Sequence, residues 1–449
     1  MFEKLREKFT YTQTIVLSFA LLTLIGAALL TLPISSSDGT MTPVLNTIFT
    51  STSAISGAGL VLYDTYTHWS LFGRIVILLL IQIGNLGFII VISMFSLFLR
   101  KRIGIYERRV LMQSEGTLRL SGVVKLLKRI FFITFITEFI GAAILAIRYC
   151  SEFGIGPGIE LSFFHSVSAF CNAGFDIFGC ITPGASLMEF QSDPVVLLTL
   201  GALVIVGGLG FLVWQDLAEN RKFSKCSVYT RLVLVTSLGL LIFGWTVICL
   251  LEWNNPGTLG GMTVADKLLN GLFQAITLRT AGFVAIDQAL LTDSGKAASM
   301  ILMLVGGSSG STAGGLKTVT FVVLLLFLAA RARGRSTVCV YKRTIPQSQV
   351  LDAMTIAFLM IGLAFFGSIF ISATSSVSFI DALYESVSAL ATVGLTAGAT
   401  THLSIPAQFL IIVYMYFGRV GMLTISLGFL AGDRAEERFR YAQTNLLIG

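Results

Sequence analysis

Four stretches of this chain repeat one pattern: FTSTSAISGAGL (49–60), FHSVSAFCNAGFD (164–176), FQAITLRTAGF (273–283) and YESVSALATVGL (384–395). Each opens on an aromatic residue, runs through Ser or Thr, and closes on a glycine followed by Leu or Phe. Counted from the aromatic to that Leu or Phe, the third copy is one residue shorter than the others. Gly59, Gly174, Gly282 and Gly394 lie 115, 108 and 112 residues apart, a near-constant period over the whole chain. Such a period means four copies of one structural unit. Within each copy the pattern predicts a short helix that stops at a small-residue bend.

What surrounds the copies is apolar. Of 449 residues 55% are hydrophobic and 12% charged, a balance that makes an integral membrane protein the expected class. The charged start, MFEKLREKFT, precedes an apolar run too long for a signal-peptide core and reads as the lead into a retained first helix. Lys and Arg cluster before residue 10 and in 100–129, 221–231, 331–343 and 434–440. Segments 33–70, 149–195, 253–297 and 373–405 hold only Lys267, Arg279 and Lys296, and half of the 24 acids. The asymmetry predicts a cell (plasma) membrane protein with basic segments and both termini cytoplasmic. An acidic outer face favours approaching cations over nucleic acid. The six cysteines have no paired spacing, and His68, His165 and His402 no ligand spacing, so neither a disulfide framework nor a transition-metal site is expected.

The fold class that follows is all-α and polytopic: four M1–P-loop–M2 repeats in pseudo-fourfold arrangement around one pore, with eight transmembrane helices and four re-entrant pore helices. The units are 1–100, 101–220 (with a basic linker), 221–343 and 344–449. Expected spans are 12–32 and 71–99, 124–147 and 195–214, 232–251 and 297–330, 351–372 and 406–430. The half-helices, 42–54, 159–169, 264–278 and 380–390, are too short to cross. Non-helical backbone at membrane depth is tolerated only inside protein or beside water, so the four bends should converge on one axis. There the helix C-termini point negative dipole ends inward, and glycine leaves no side chain in the path. Rings of carbonyls can then replace the water of a monovalent cation. Close helix packing explains one such glycine, but not four at a common offset.

These units, their single glycines and the motifs AFCNAGF and LRTAGF resemble the Ktr/Trk/HKT superfamily of potassium transporters over essentially the whole chain. Lacking the additional N-terminal helix pair of Trk-type subunits, the chain is most similar to the membrane subunits of Ktr systems. The resemblance implies potassium uptake by a homodimer with one pore per subunit. It also implies a cytoplasmic ring of nucleotide-binding RCK-domain subunits of the KtrA or KtrC type, so that any nucleotide sits on the partner and no organic cofactor on this chain. The expected potassium-binding filter residues are Ser56, Gly57, Ala58 and Gly59; Cys171, Asn172, Ala173 and Gly174; Thr280, Ala281 and Gly282; and Thr392, Val393 and Gly394. Serine at the first filter glycine goes with sodium permeation in relatives; Gly59 favours potassium.

Segment 297–330 would be about 50 Å long as one helix, well beyond a bilayer core. Its middle, GGSSGSTAGGLKT, carries five glycines and predicts a loop below the filter. The resemblance implies a gate made of Gly306, Gly307, Ser308, Ser309, Gly310, Ser311, Thr312, Ala313, Gly314, Gly315 and Lys317. GSTAGGLKT resembles a phosphate-binding loop, but Leu316 is inserted before Lys317 and no βαβ unit surrounds it; Lys317 would otherwise snorkel to the cytoplasmic interface. Arg419 stands mid-span, where a charge must face water, the pore or a partner. The resemblance of GRVGM to the family's GRVGP-like motif places it under the filter as a positive barrier, with a buried ion pair as the alternative.

Arg279 is expected behind the filter, on carbonyls or on Glu385. Asp64, Asp176 and Asp287 could gather cations at the outer vestibule, or be ordinary loop acids. QIGNLGF (82–88) and IVGGLGF (205–211) predict close helix packing below the filter. Segment 100–129 could bind anionic headgroups or a regulatory subunit, and the apolar end NLLIG is expected in the dimer interface. Sodium-permeable or poorly selective conduction is the alternative within the class. An alternating-access transporter would need inverted repeats, whereas these run parallel. No catalytic constellation supports an enzyme.

Overall fold

The computed structural model describes residues 11–87 and 123–421. Each unit starts with an apolar helix, returns as a shorter helix carrying the repeated pattern, and leaves by a second apolar helix. In the first unit these are α1 (Tyr11–Thr31), α2 (Val44–Ser56) and α3 (Leu71–Leu86). The second has α4 (Val123–Phe153), α5 (Ile155–Phe170) and a pair, α6 (Pro194–Leu209) and α7 (Phe211–Asn220). The third has α8 (Val228–Glu252), α9 (Val264–Thr277), α10 (Asp293–Leu304) and α11 (Thr318–Ala332). The fourth has α12 (Gln347–Thr374), α13 (Phe379–Ala391) and α14 (Ile405–Val420).

The first helix of every unit is long and apolar enough to cross a membrane. Their outer faces show Phe139 at 71% and Phe358 at 80% exposure, surface that water would penalise and lipid tails accept. The short helices are placed by their ends. Thr263 and Ser378 cap α9 and α13 by accepting the backbone N–H of Asp266 and Asp381, satisfying donors that the helix itself leaves open. At their other ends the N–H groups of Ala58, Ala173 and Val393 reach back to the carbonyls of Ser53, Ser168 and Ser388, a Schellman-type stop.

In the first, second and fourth units the short helix packs between the two longer helices of its own unit, whereas in the third α9 packs on α8 and on α6 of the second unit. Serine hydroxyls anchor it: Ser51 donates to the Thr23 carbonyl of α1, Ser166 to Glu138 of α4 and Ser386 to Ala364 of α12. The third unit has Ala275 at this level, resting against Gly244. The second helix of each unit also packs on the short helix of the next: α3 on α5, α6 on α9, α10 on α13, and α14 back on α2. The order closes a ring of four units around one axis.

One expectation needs correction: segment 195–214 is not one straight helix, because α6 and α7 meet at Gly210 with an 89° bend. The described fold is all-α apart from one small two-stranded hairpin, Cys339–Val340 with Arg343–Thr344, whose turn residues Tyr341 and Lys342 both have positive φ, as hairpin turns of this length demand. Residues 1–10, 88–99, most of the basic segment 100–129, Met422 and the tail from 434 lie outside the described residues, and the expectations for them with it.

Candidate functional site

The four bends share one backbone signature. In each, two left-handed residues flank one other: Gly57 and Gly59, Asn172 and Gly174, Thr280 and Gly282, Thr392 and Gly394, with φ from 52° to 92°. The first of each pair escapes notice in the sequence, because only one of the four is glycine. Asn accepts this conformation with little strain, but a β-branched Thr resists it. Thr280 and Thr392 therefore store about 1–3 kcal/mol each, held by the packing around them. Strain kept at one recurring place is a mark of a working site.

The bends meet at the axis. A methyl group on Gly59 would lie 2.7 Å from the Ala173 carbonyl, and on Gly174 2.9 Å from that of Ala281. On Gly282 it would lie 2.7 Å from the Val393 carbonyl, and on Gly394 it would overlap that of Ala58. Each glycine thus abuts the carbonyl before the next unit's glycine, and the fourth returns to the first. The packing leaves no room for a side chain. Hydroxyls brace the ring from behind: Ser168 and Thr277 donate to the carbonyls of Phe175 and Phe283, and Ser388 accepts from Gly394 N–H. Ser53, their counterpart in the first unit, has a buried hydroxyl without a partner. Ser56, Cys171 and Ala391 stand where the short helices end.

Below the ring, GNLG (84–87), GGLG (207–210) and GRVG (418–421) occupy equivalent places. A methyl on Gly84, Gly207 or Gly418 would overlap the carbonyl of Ile55, Phe170 or Leu390, in each case four residues before the unit's ring glycine. Close packing is therefore the role of the first glycine of the motif. The second glycine does something the sequence reading missed: Gly87, Gly210 and Gly421 have φ of 83°, 87° and 91° and stop their helices. In the third unit, residues 305–317 follow the end of α10 at the same place.

This loop lies under the ring. Its base closes through Gly306 N–H to Leu316 O and Leu316 N–H to Leu304 O, both 3.0 Å. Ser308 N–H donates to Gly208 O and Phe211 N–H to Gly310 O, while the Ser308 hydroxyl binds Leu209 O. Tyr229 of α8 donates to Ser309 O at 2.9 Å. At the tip, Thr312 Oγ1 binds Phe170 O at 3.2 Å and the Asn172 side chain at 3.1 Å, and a methyl on Gly314 would strike Thr392 Oγ1. The tip therefore touches the opposed second and fourth bends. Gly307, Ser311, Ala313 and Gly315 complete the loop.

The cations nearby bind carbonyls. Arg419 donates to Thr312 O in the loop and to Gly84 O and Asn85 O of α3, the last two at 2.9 Å. It ties the fourth unit to the first and to the loop. Lys317 folds back to Ala313 O at 2.7 Å instead of reaching the interface. Arg279 lies behind the third bend, on Gly306 O at 3.1 Å and the hydroxyls of Ser237 and Thr318. Of the two expected kinds of partner Arg279 thus takes carbonyls, while Glu385 accepts from Thr396 and Thr400 of its own unit.

The outer acids differ among themselves. Asp64 caps a helical turn through Tyr66 and Thr67 N–H and also accepts Gly184 N–H of the second unit at 3.0 Å, which makes it a clasp between loops. Asp287 accepts from Ala289 N–H in a local turn. Asp176, two residues beyond Gly174, is partly exposed. Burial pushes its carboxyl up to about 6, against hydrogen bonds from Ser186 and Phe178 and with help from the nearby charge of Asp64. Among the described residues no cluster of His, Cys, Asp and Glu could hold a metal ion.

A family model described as TrkH, cation transport protein, matches residues 4–437. The chain is 36% identical to the potassium/sodium uptake protein NtpJ of Enterococcus hirae, over all of this chain and 99% of that one. It is 36% identical to the Ktr system potassium uptake protein B of Bacillus subtilis, over 96% of each. The crystal structure of the potassium transporter TrkH from Vibrio parahaemolyticus shares its fold, with a TM-score of 0.73 at 18% identity over 95% of this chain and 86% of that one.

Proposed function

The chain belongs to the TrkH family of cation transport proteins, and on that premise we propose that its glycine ring is the filter through which it takes up potassium. It is a multi-pass membrane protein and a potassium uptake protein. One observation carries the filter reading: each ring glycine abuts the carbonyl of the following unit, and the fourth closes on the first. Potassium is the cargo, stripped of water and held by main-chain oxygens of residues 56–59, 171–174, 280–282 and 392–394. Four short helices end at the ring and add the negative ends of their dipoles. Residues 306–317 and Arg419 form the gate beneath, because the loop tip contacts two opposed bends and Arg419 holds it there.

Like its Ktr relatives, the chain works as the membrane subunit of a multi-component system. In our reading it is a homodimer regulated by a cytoplasmic RCK-domain subunit that carries the nucleotide, with its own termini in the cytoplasm. A second reading, sodium permeation beside potassium, is favoured by the first bend. There both left-handed residues are glycine and Ser53 lacks the bond its counterparts make, so this quadrant is the softest.

The test is growth of a potassium-uptake-deficient bacterium on low potassium, with and without an RCK partner, for the parent and Gly59→Ser. The parent restores growth, and the variant gains sodium permeation. Unchanged ion preference in Gly59→Ser would remove the ring from the ion's path.

A further inference from the structure

One residue past the aromatic of each short helix stands a polar side chain that differs in every unit: Thr50, His165, Gln274 and Glu385. All four are buried. Three reach outward to the strand that leaves the ring. His165 Nε2 accepts from Ile177 N–H at 3.1 Å, which places the ring proton on Nδ1, 2.8 Å from Leu161 O. The Gln274 amide binds Gln288 at 2.6 Å, and Gln288 holds the Ile286 carbonyl. Glu385 accepts hydroxyl bonds from Thr396, at 2.8 Å, and Thr400.

Tyr384 ties two of these braces together by donating to Gln288 Oε1 at 2.9 Å. Thr50 instead bonds back to Asn46 O of its own helix. The first unit is joined to its outer strand only one turn away, through Asn46 and Tyr63.

We propose that His165, Gln274 and Glu385 are positioning residues that set ion preference by fixing the width of the glycine ring, with Glu385 the decisive one. A ring of carbonyls separates alkali cations by size and field only if its strands resist moving inward or outward. The exit strands make no sheet, so side chains must supply that resistance. Glu385 holds two points of one strand, Thr396 and Thr400, on either side of a turn whose Gly398 and Thr400 N–H groups also bind Thr396 Oγ1. Removing the carboxyl leaves two hydroxyls without their acceptor and the fourth bend without its outer support.

The inference rests on the ring being the selecting point, and the experiment separates the two. Parent and variants are reconstituted in liposomes, and rubidium and sodium fluxes give a preference ratio. Glu385→Ala lowers the ratio at least about fivefold, the worth of one lost bond to such a group. Glu385→Gln restores most of it, since its amide can accept one hydroxyl and donate to the other. Thr50→Val leaves it unchanged, as does Asp381→Asn, which breaks an ion pair on the same helix. Should Glu385→Ala fold poorly, the Thr396→Val, Thr400→Val double variant carries the same expectation. A parental ratio in Glu385→Ala, or an equal shift in Thr50→Val, overturns the brace. If Gly174→Ser moves the ratio while Glu385→Ala does not, only the brace fails; if neither moves it, the ring reading fails as well.

Discussion

Glycine at four places is where the finest constraint lies. At Gly174 a side chain meets two penalties: φ of 69° resists any Cβ, and the Cβ would lie 2.8 Å from Gly282 Cα. Gly174→Ala should therefore cut potassium uptake at least about tenfold, from strain of about 1–3 kcal/mol, while membrane levels of the protein change less; equal losses of uptake and protein would assign Gly174 to folding alone. Asp176 gives a pH dependence. Its carboxyl is charged above about 6 and neutral below. As pH falls through that value, the outer mouth loses a negative charge, and uptake at low external potassium should fall about two- to fivefold. Stability moves the opposite way, because a raised carboxyl pKa means the fold prefers the protonated form and gains as pH falls. Asp176→Asn should flatten the uptake profile between pH 5 and 7; a profile identical to the parent's would clear Asp176 of the effect.

Among the elements, the second helices are alike in ending beneath the ring. Gly87, Gly210 and Gly421 end their helices below the ring, and in the third unit a loop takes that place. The loop is held by main-chain bonds to the α6–α7 break, by Tyr229 and by Arg419. Deleting residues 308–312 removes the tip that touches Phe170 and Asn172, and should raise potassium flux above the parent's. Arg419→Ala frees the same tip from α3 and should raise or deregulate flux with a smaller effect than the deletion. Flux measured in liposomes decides both, and parental rates would mean that the loop does not obstruct the path.

The whole molecule depends on its ring closing. Units three and four are joined by Lys296 and Asp381, 2.7 Å apart with side chains 9% and 25% exposed. Removing one partner leaves a largely buried charge; discounted for the partial exposure of Asp381, the cost is about 1–3 kcal/mol. Asp381→Asn should lower the melting temperature in detergent by several degrees and leave ion preference intact; an unchanged melting temperature would show that the closing seam does not rely on the pair. Between the first and second units, the bond from Asp64 to Gly184 N–H does similar work in the outer loops.

The period of the ring glycines and the lengths of the apolar segments were enough to set four units, their re-entrant helices and a common axis. Both follow from chain-local rules: a helix needs about 20 apolar residues to cross, and glycine marks positions where backbone crowding excludes a Cβ. The loop at 306–317 was equally readable, because five glycines cannot sit mid-helix without breaking it. Three things were not readable. Thr280 and Thr392 adopt left-handed backbone against their own preference, which only surrounding packing can impose. The 89° bend at Gly210 looks, in sequence, the same as a close-packing glycine. The partners of Arg419, at Thr312, Gly84 and Asn85, belong to other units and are fixed only when the units close on one another, whereas those of Glu385 and Arg279 lie within their own units and are fixed by the packing of each unit's loops and helices.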